Sequence, residues 1–299
     1  MDARRLKLLA AVLEHGSFTR AAAALNLTQP SLSRQVAALE RQAGVRLLDR
    51  VPNGVRATAA GLALARRGQA IDAHLKAADR ELAQLRGLRA GRLRLAAFPS
   101  AAATLALDLL IALRDAHPGL IVTLEEHDRE NALRALRTGT ADIAITFTEA
   151  DEPSDDLFDT TPLFEEPMLL ALPADDPRVA DAPCFLSAFA SDPWIIGTRG
   201  DPGLIARACL RAGFAPRVAA RLDNQPAIQA AVVAGVGTTL IPALAAQELR
   251  PGITAVELAP PTPSRRIHAH RLAGPADDVT ATGLHALARV ALTRGRGLA

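Results

Sequence analysis

Gln29, Ser33 and Arg34 fall on one face of a helix expected to start just after Thr28. Glutamine pairs with adenine through two hydrogen bonds, and arginine pairs with guanine or grips a phosphate, so this trio suits the reading of base edges. Other constellations invite a chemical reading and fail it. Phe98-Pro99-Ser100 stands at a strand–helix junction, like the elbow that presents a hydrolase serine. Both flanking glycines of that elbow are missing, and no His/Asp pair is placed to serve the serine. His268-x-His270 puts two imidazoles on one strand face; without a third ligand nearby they read as a surface or core pair, not a metal site. Gly235-Val236-Gly237 lacks the third glycine of a dinucleotide turn and reads as a tight turn into a strand at Thr238. The pairs Asp155-Asp156, Asp175-Asp176 and Asp277-Asp278 read as loop or helix-start acids. No catalytic residue, no metal ligand and no cofactor is expected.

The elements that would present residues 29, 33 and 34 lie close by in the chain. Leu6, Leu9, Ala10 and Leu13 have helical spacing, and Gly16 ends that helix. Ser17 is the expected N-cap of a second helix over Phe18–Leu25, followed by a tight turn at Asn26-Leu27. Thr28 caps the third helix, Pro30 sits in its first turn, and Leu32, Val36 and Leu39 form its apolar stripe. Val45–Arg50 and Val55–Ala57 are expected strands joined through Pro52-Asn53-Gly54, a strong hairpin signal.

From Thr58 to about Leu88 there is no proline, and Ile71, Leu75, Ala78, Leu82 and Leu85 recur at steps of 4, 3, 4 and 3. That is the period of a coiled-coil seam on a rod of roughly 45 Å, and such a seam needs an apolar partner. After Arg92 strands and helices alternate to the end of the chain, the pattern of an α/β domain with mostly parallel sheets.

Composition sets the compartment and the polarity. The 299 residues are 49% hydrophobic and 22% charged, which permits real cores and argues against bulk disorder. No run of about 18 apolar residues predicts a membrane span. With no signal-peptide pattern and only Cys184 and Cys209, a cytoplasmic location is expected. Net charge is +2, but residues 1–57 carry +5, residues 58–89 carry +3, and the rest carries −6. A basic head on an acidic body points to a polyanion for the head.

The run from Gly16 to Glu40, with Ala21-Ala22-Ala23-Ala24-Leu25 and Gln29-Pro30-Ser31-Leu32-Ser33-Arg34-Gln35-Val36, closely resembles the N-terminal signature of LysR-type transcriptional regulators. The match continues through Gly44–Arg50 and Thr58-Ala59-Ala60-Gly61, whereas the last 200 residues agree in architecture, with Gly139-Thr140-Ala141-Asp142-Ile143 a weaker landmark. The resemblance implies a winged helix-turn-helix domain over 1–57 and a linker and dimerisation helix over 58–89. It further implies a two-lobed α/β effector domain, similar to periplasmic binding proteins, over 90–299. Lobe one is placed at about 90–162 and 267–299 and lobe two at about 163–266, with crossovers near Leu163 and Arg266.

The implied function is sequence-specific binding of a double-stranded promoter dyad by a homodimer or homotetramer, modulated by a small molecule, with RNA polymerase as a further partner and no membrane. DNA contacts are assigned to Thr28, Gln29, Pro30, Ser31, Ser33 and Arg34, with Arg50, Asn53 and Arg56 at the wing. Effector contacts are assigned to Ser100, Arg129, Thr148, Thr198, Arg199, Asn224 and Gln225, near strand ends and helix starts of an inter-lobe cleft. Two arginines there would suit an anionic effector; equally, Arg129 and Arg199 could point into solvent or to Asp128 and Asp201. The rival reading is an α/β small-molecule-binding protein or enzyme carrying a DNA-binding head, and a third is an architectural DNA binder with little sequence preference.

Overall fold

The computed structural model describes residues 1–52, 54–85, 91–149, 155–197 and 203–297. The head opens with α1 (Ala3–His15), α2 (Phe18–Ala24) and α3 (Gln29–Ala43). Leu6, Leu9 and Val12 of α1 meet Ala21 of α2 and the Leu32/Val36/Leu39 stripe of α3 in one buried core. Ser17 and Thr28 occupy the N-cap positions with extended backbone, but neither side chain makes the cap hydrogen bond. Asn26 takes a left-handed φ of 54°, as the tight turn between α2 and α3 demands.

The wing is a hairpin of β1 (Leu48–Val51) and β2 (Gly54–Ala57). Glu40 near the end of α3 fixes its start, accepting from the amides of Leu47 at 2.9 Å and Leu48 at 3.2 Å. The long helix α4 (Ala59–Leu85) follows directly. Thr58 Oγ1 caps it by accepting from the Gly61 amide at 3.0 Å. At Gly61 a Cβ would lie 1.9 Å from the Leu47 carbonyl oxygen, so only glycine lets the rod leave the wing at this angle.

Lobe one is built on β3 (Arg92–Ala97), followed by one continuous helical stretch: α5 (Pro99–Ala101), a π-helical segment (Ala102–Ala106) and α6 (Leu107–Ala116). Next come β4 (Ile121–Glu126), α7 (Arg129–Thr138) and β5 (Ile143–Thr148). Then β6 (Phe158–Pro173) runs for sixteen residues through both lobes. Lobe two adds β7 (Pro193–Ile196), α8 (Leu204–Arg211), β8 (Arg217–Arg221), α9 (Gln225–Val233), β9 (Thr239–Pro242) and β10 (Ile253–Val256). The chain returns through β11 (Ser264–Leu272) to the closing helix α10 (Asp278–Arg296).

The sheets are mixed rather than mostly parallel. β3 pairs in parallel with β4 and β5, and β7 with β8, whereas every pairing of β6 and β11 is antiparallel. The reason is that both lobes share strands that pass between them, and the return strand must run against the outgoing one. That pairing also moves the crossovers. β6 stays paired with β11 as far as Pro167 opposite Ser264, and it joins β9 from Met168 onward. Leu163, where the sequence suggested a crossover, instead falls at a bulge between Ile267/Phe164 and His268/Pro162. A bulge accommodates the missing N–H of Pro162 inside the sheet.

The linker helix is not isolated from the effector domain. Ala70 of α4 shares a buried cluster with Ala132, Leu133 and Leu136 of α7. Lys7 of α1 is paired with Asp72 of α4 at 2.7 Å. The seam residues on the opposite face stay open: Ile71 is 37% exposed, Leu75 59% and Leu82 50%.

Candidate nucleic-acid interface and effector cleft

On the head, Thr28, Gln29, Pro30 and Arg34 are exposed, while Ser31 and Ser33 are half-buried at the edge of the same face. Among the described residues no side chain pairs with Arg34 or Gln29. Gln35, the next outward residue, accepts from Arg5 Nε at 3.1 Å and braces α3 against α1. Arg56 is exposed on the wing. Asn53 and the side chain of Arg50 lie outside the described residues, as do Thr198, Arg199 and the side chain of Leu85.

Between the lobes lies a cavity of about 1120 Å³. Ser100, Arg129, Thr148, Asn224 and Gln225 all line it, so five of the seven assigned effector residues are brought to one place. Each arrives at an element end. Ser100 starts α5 beyond β3, Arg129 starts α7 behind the Asp128 cap, and Thr148 ends β5. Asn224 caps α9, accepting from the Ala227 amide at 2.9 Å. The π-helical segment widens the turn just after Ser100, and Thr104 Oγ1 donates to the Ser100 carbonyl at 2.7 Å.

Arg129, the one of the two expected cations that lies among the described residues, lines the cavity, but acids outnumber arginines around it. Among the described residues the cavity wall carries Arg129, Arg207 and Arg211 against five acids, including Glu126, Glu149 and Asp223. One of those arginines is spent across the gap: Arg207 of lobe two is ion-paired with Glu149 of lobe one. Local sequence could not foretell this, because the acids come from loops and helix starts far apart in the chain.

A buried network stands behind the cavity wall, and no signal in the sequence marked it. Arg265 of β11 and Glu166 of β6 are cross-strand partners where the two strands leave lobe one. Arg265 Nε donates to Glu166 Oε2 at 2.5 Å, and Arg265 Nη2 donates to Ser100 Oγ at 2.6 Å. Glu166 Oε1 accepts from the Leu244 amide of lobe two at 2.7 Å. Glu166 is 0% exposed and Arg265 7%. The guanidinium lies 4.6 Å and 4.5 Å from the ring centroids of Phe98 and Phe147, which themselves meet edge to face. Burial pulls the Arg265 pKa below its ordinary value, opposed by Glu166. The paired guanidinium remains charged.

His270 is held between Thr146 Oγ1 at 2.8 Å and Thr160 Oγ1 at 2.9 Å. Burial first, then the charges of His268 and Arg129, push it down to about 4, so a neutral ring donates its one N–H to one hydroxyl and accepts from the other at its bare nitrogen. Cys184 and Cys209 are both buried free thiols. Burial pushes Cys209 up to about 12 and raises Cys184 as well.

Comparison with known proteins agrees with this architecture. Residues 3–62 match the family described as bacterial regulatory helix-turn-helix protein, lysR family, and residues 86–291 match the LysR substrate binding domain. A hydrogen peroxide-inducible genes activator of Dickeya chrysanthemi is 30% identical over 273 residues, covering 89% of this chain and 88% of its own. A full-length OxyR variant from Pseudomonas aeruginosa superposes with a TM-score of 0.64 at 24% identity, over 97% of this chain and 94% of that one. Full-length CbnR in complex with its target DNA superposes at 0.59 and 24% identity, over 97% and 100%. At these identities the solved structures speak for the fold.

Proposed function

The chain belongs to the LysR family of bacterial helix-turn-helix regulators, and on that premise we propose how it recognises a promoter and a small molecule. The head inserts α3 into the major groove and reads bases with Gln29, Ser33 and Arg34, while Arg56 on the wing grips backbone. The observation that carries this reading is the exposed Gln29/Arg34 face, without partners among the described residues, on a domain of net +5. A surface cation held by nothing inside the protein is available to a phosphate or a base edge.

The test uses an operator selected from random duplexes. Arg34→Ala is expected to weaken specific binding by about 1–3 kcal/mol, while Arg56→Ala weakens specific and non-specific binding alike. Unchanged operator affinity in Arg34→Ala at matched salt would remove α3 from the groove.

The inter-lobe cavity is the effector site in this reading, and it binds without turnover. A nucleophilic serine needs a base to accept its proton. Ser100 has the opposite environment, a guanidinium donating to its oxygen. Two copies of the chain associate through the open Ile71/Leu75/Ala78/Leu82 seam of α4, bringing two heads to two half-sites. No helix of the described residues is long and apolar enough to cross a membrane.

A second reading comes from the relative named for hydrogen peroxide: that this chain responds to peroxide, for which its two cysteines would be the side chains to react. The thiolate is the species that reacts, and burial keeps both cysteines here as thiols. A thiol reagent is therefore expected to label neither Cys184 nor Cys209 until the protein is denatured, and peroxide should leave operator binding unchanged. Rapid labelling of the native protein, with loss of binding, would reinstate the redox reading.

A further inference from the structure

We infer that Arg265 is a specificity-determining positioning residue: by occupying one lone pair of the Ser100 oxygen from behind, it biases the Ser100 hydroxyl toward donating into the cleft. The inference rests on the reading of the cavity as the effector site. A serine hydroxyl carries one proton and two acceptor sites, and its rotation normally lets it serve either a donor or an acceptor on a ligand. Here Arg265 Nη2 donates to Ser100 Oγ at 2.6 Å from inside the protein. Among the described residues nothing accepts the Ser100 proton, which is left to the side where Ser100 lines the cavity. Donation from a cation also polarises the hydroxyl and strengthens it as a donor.

The arrangement is held rigidly enough to discriminate. Arg265 is gripped by Glu166 on the neighbouring strand and stacked between Phe98 and Phe147, so its second nitrogen cannot swing away from Ser100 without breaking that stack. A ligand group facing Ser100 is therefore expected to be an acceptor, such as a carboxylate or carbonyl, which takes the otherwise unpaired proton. An ammonium or amide N–H could use only the remaining lone pair and would leave the hydroxyl proton without an acceptor, the kind of mismatch that rejects ligands.

The charge of the cavity wall makes the inference testable, because it predicts the opposite order. Five acids against three arginines favour a cation in the general field. Succinate carries only acceptors and 1,4-diaminobutane only donors, at equal chain length. In titration calorimetry on the full-length protein, succinate is expected to bind at least tenfold more tightly than the diamine. In Arg265→Met/Glu166→Gln, which removes one positive and one negative charge, the net field is unchanged. That variant should bring the two affinities to within about threefold of each other. In Arg265→Lys, which restores a cation behind Ser100, the preference should return in part. Tighter binding of the diamine by the wild type, binding of neither compound, or an unaltered preference in the double variant would each overturn the role of Arg265. Operator binding is measured on the same samples, so failure here is separable from failure of the regulator reading.

Discussion

Leu75→Glu is expected to convert the protein to a monomer and to abolish tight operator binding. Leu75 lies mid-way along the open face of α4 with 59% of its surface exposed, and Leu82 follows two turns later at 50%. An apolar stripe of this kind at coiled-coil spacing is normally covered by another helix. A carboxylate in the middle of that contact would be buried without a partner, a change that costs about 3–5 kcal/mol. The promoter adds a loss of its own, because a monomer presents one head where a dyad needs two. Multivalent attachment of this sort raises affinity by about 10²–10⁴ over a single head. Sedimentation of the variant gives the mass and a titration with operator gives the affinity. A Leu75→Glu protein that still sediments as a dimer would show that assembly uses another surface.

Arg265→Met is expected to destabilise the effector domain by about 3–5 kcal/mol, because it strands a fully buried carboxylate. Glu166 would keep only the Leu244 amide at 2.7 Å as a partner. Glu166→Gln combined with Arg265→Met should lose less than half as much, since no charge is then left uncompensated and the amide oxygen still serves Leu244. Thermal unfolding of the three proteins at neutral pH reads the difference directly. Equal losses in the single and double variants would mean that Arg265 stabilises by its stacking on Phe98 and Phe147 alone.

Much of the head was legible from residue order. The Leu32/Val36/Leu39 stripe is buried and the opposite face carries Gln29 and Arg34, as a 3.6-residue period requires. Gly16 ends α1 in a left-handed conformation with φ of 62°, at the place where its lack of a side chain was the stop signal. The N-cap positions of Ser17 and Thr28 were also legible, although their side chains make no cap bond. Local geometry depends on neighbours within a turn or two, and those neighbours are written side by side.

The cleft is another matter. Ser100, Glu166, Leu244 and Arg265 come from four distant stretches, and nothing in any one stretch announces the other three. A lone Arg265 in a strand pattern looks like an exposed charge until the sheet register sets it opposite Glu166. The same holds for the crossing strands: Pro162 and Leu163 resemble a break in sequence, yet the register absorbs them as a bulge and carries β6 on to Pro173. Side-chain periodicity is a property of one element and survives in the linear chain. Charge pairing and strand direction are properties of two elements brought together. They exist only once burial has fixed which strand lies beside which, and so the wall of the inter-lobe cavity was decided by packing rather than by local residue order.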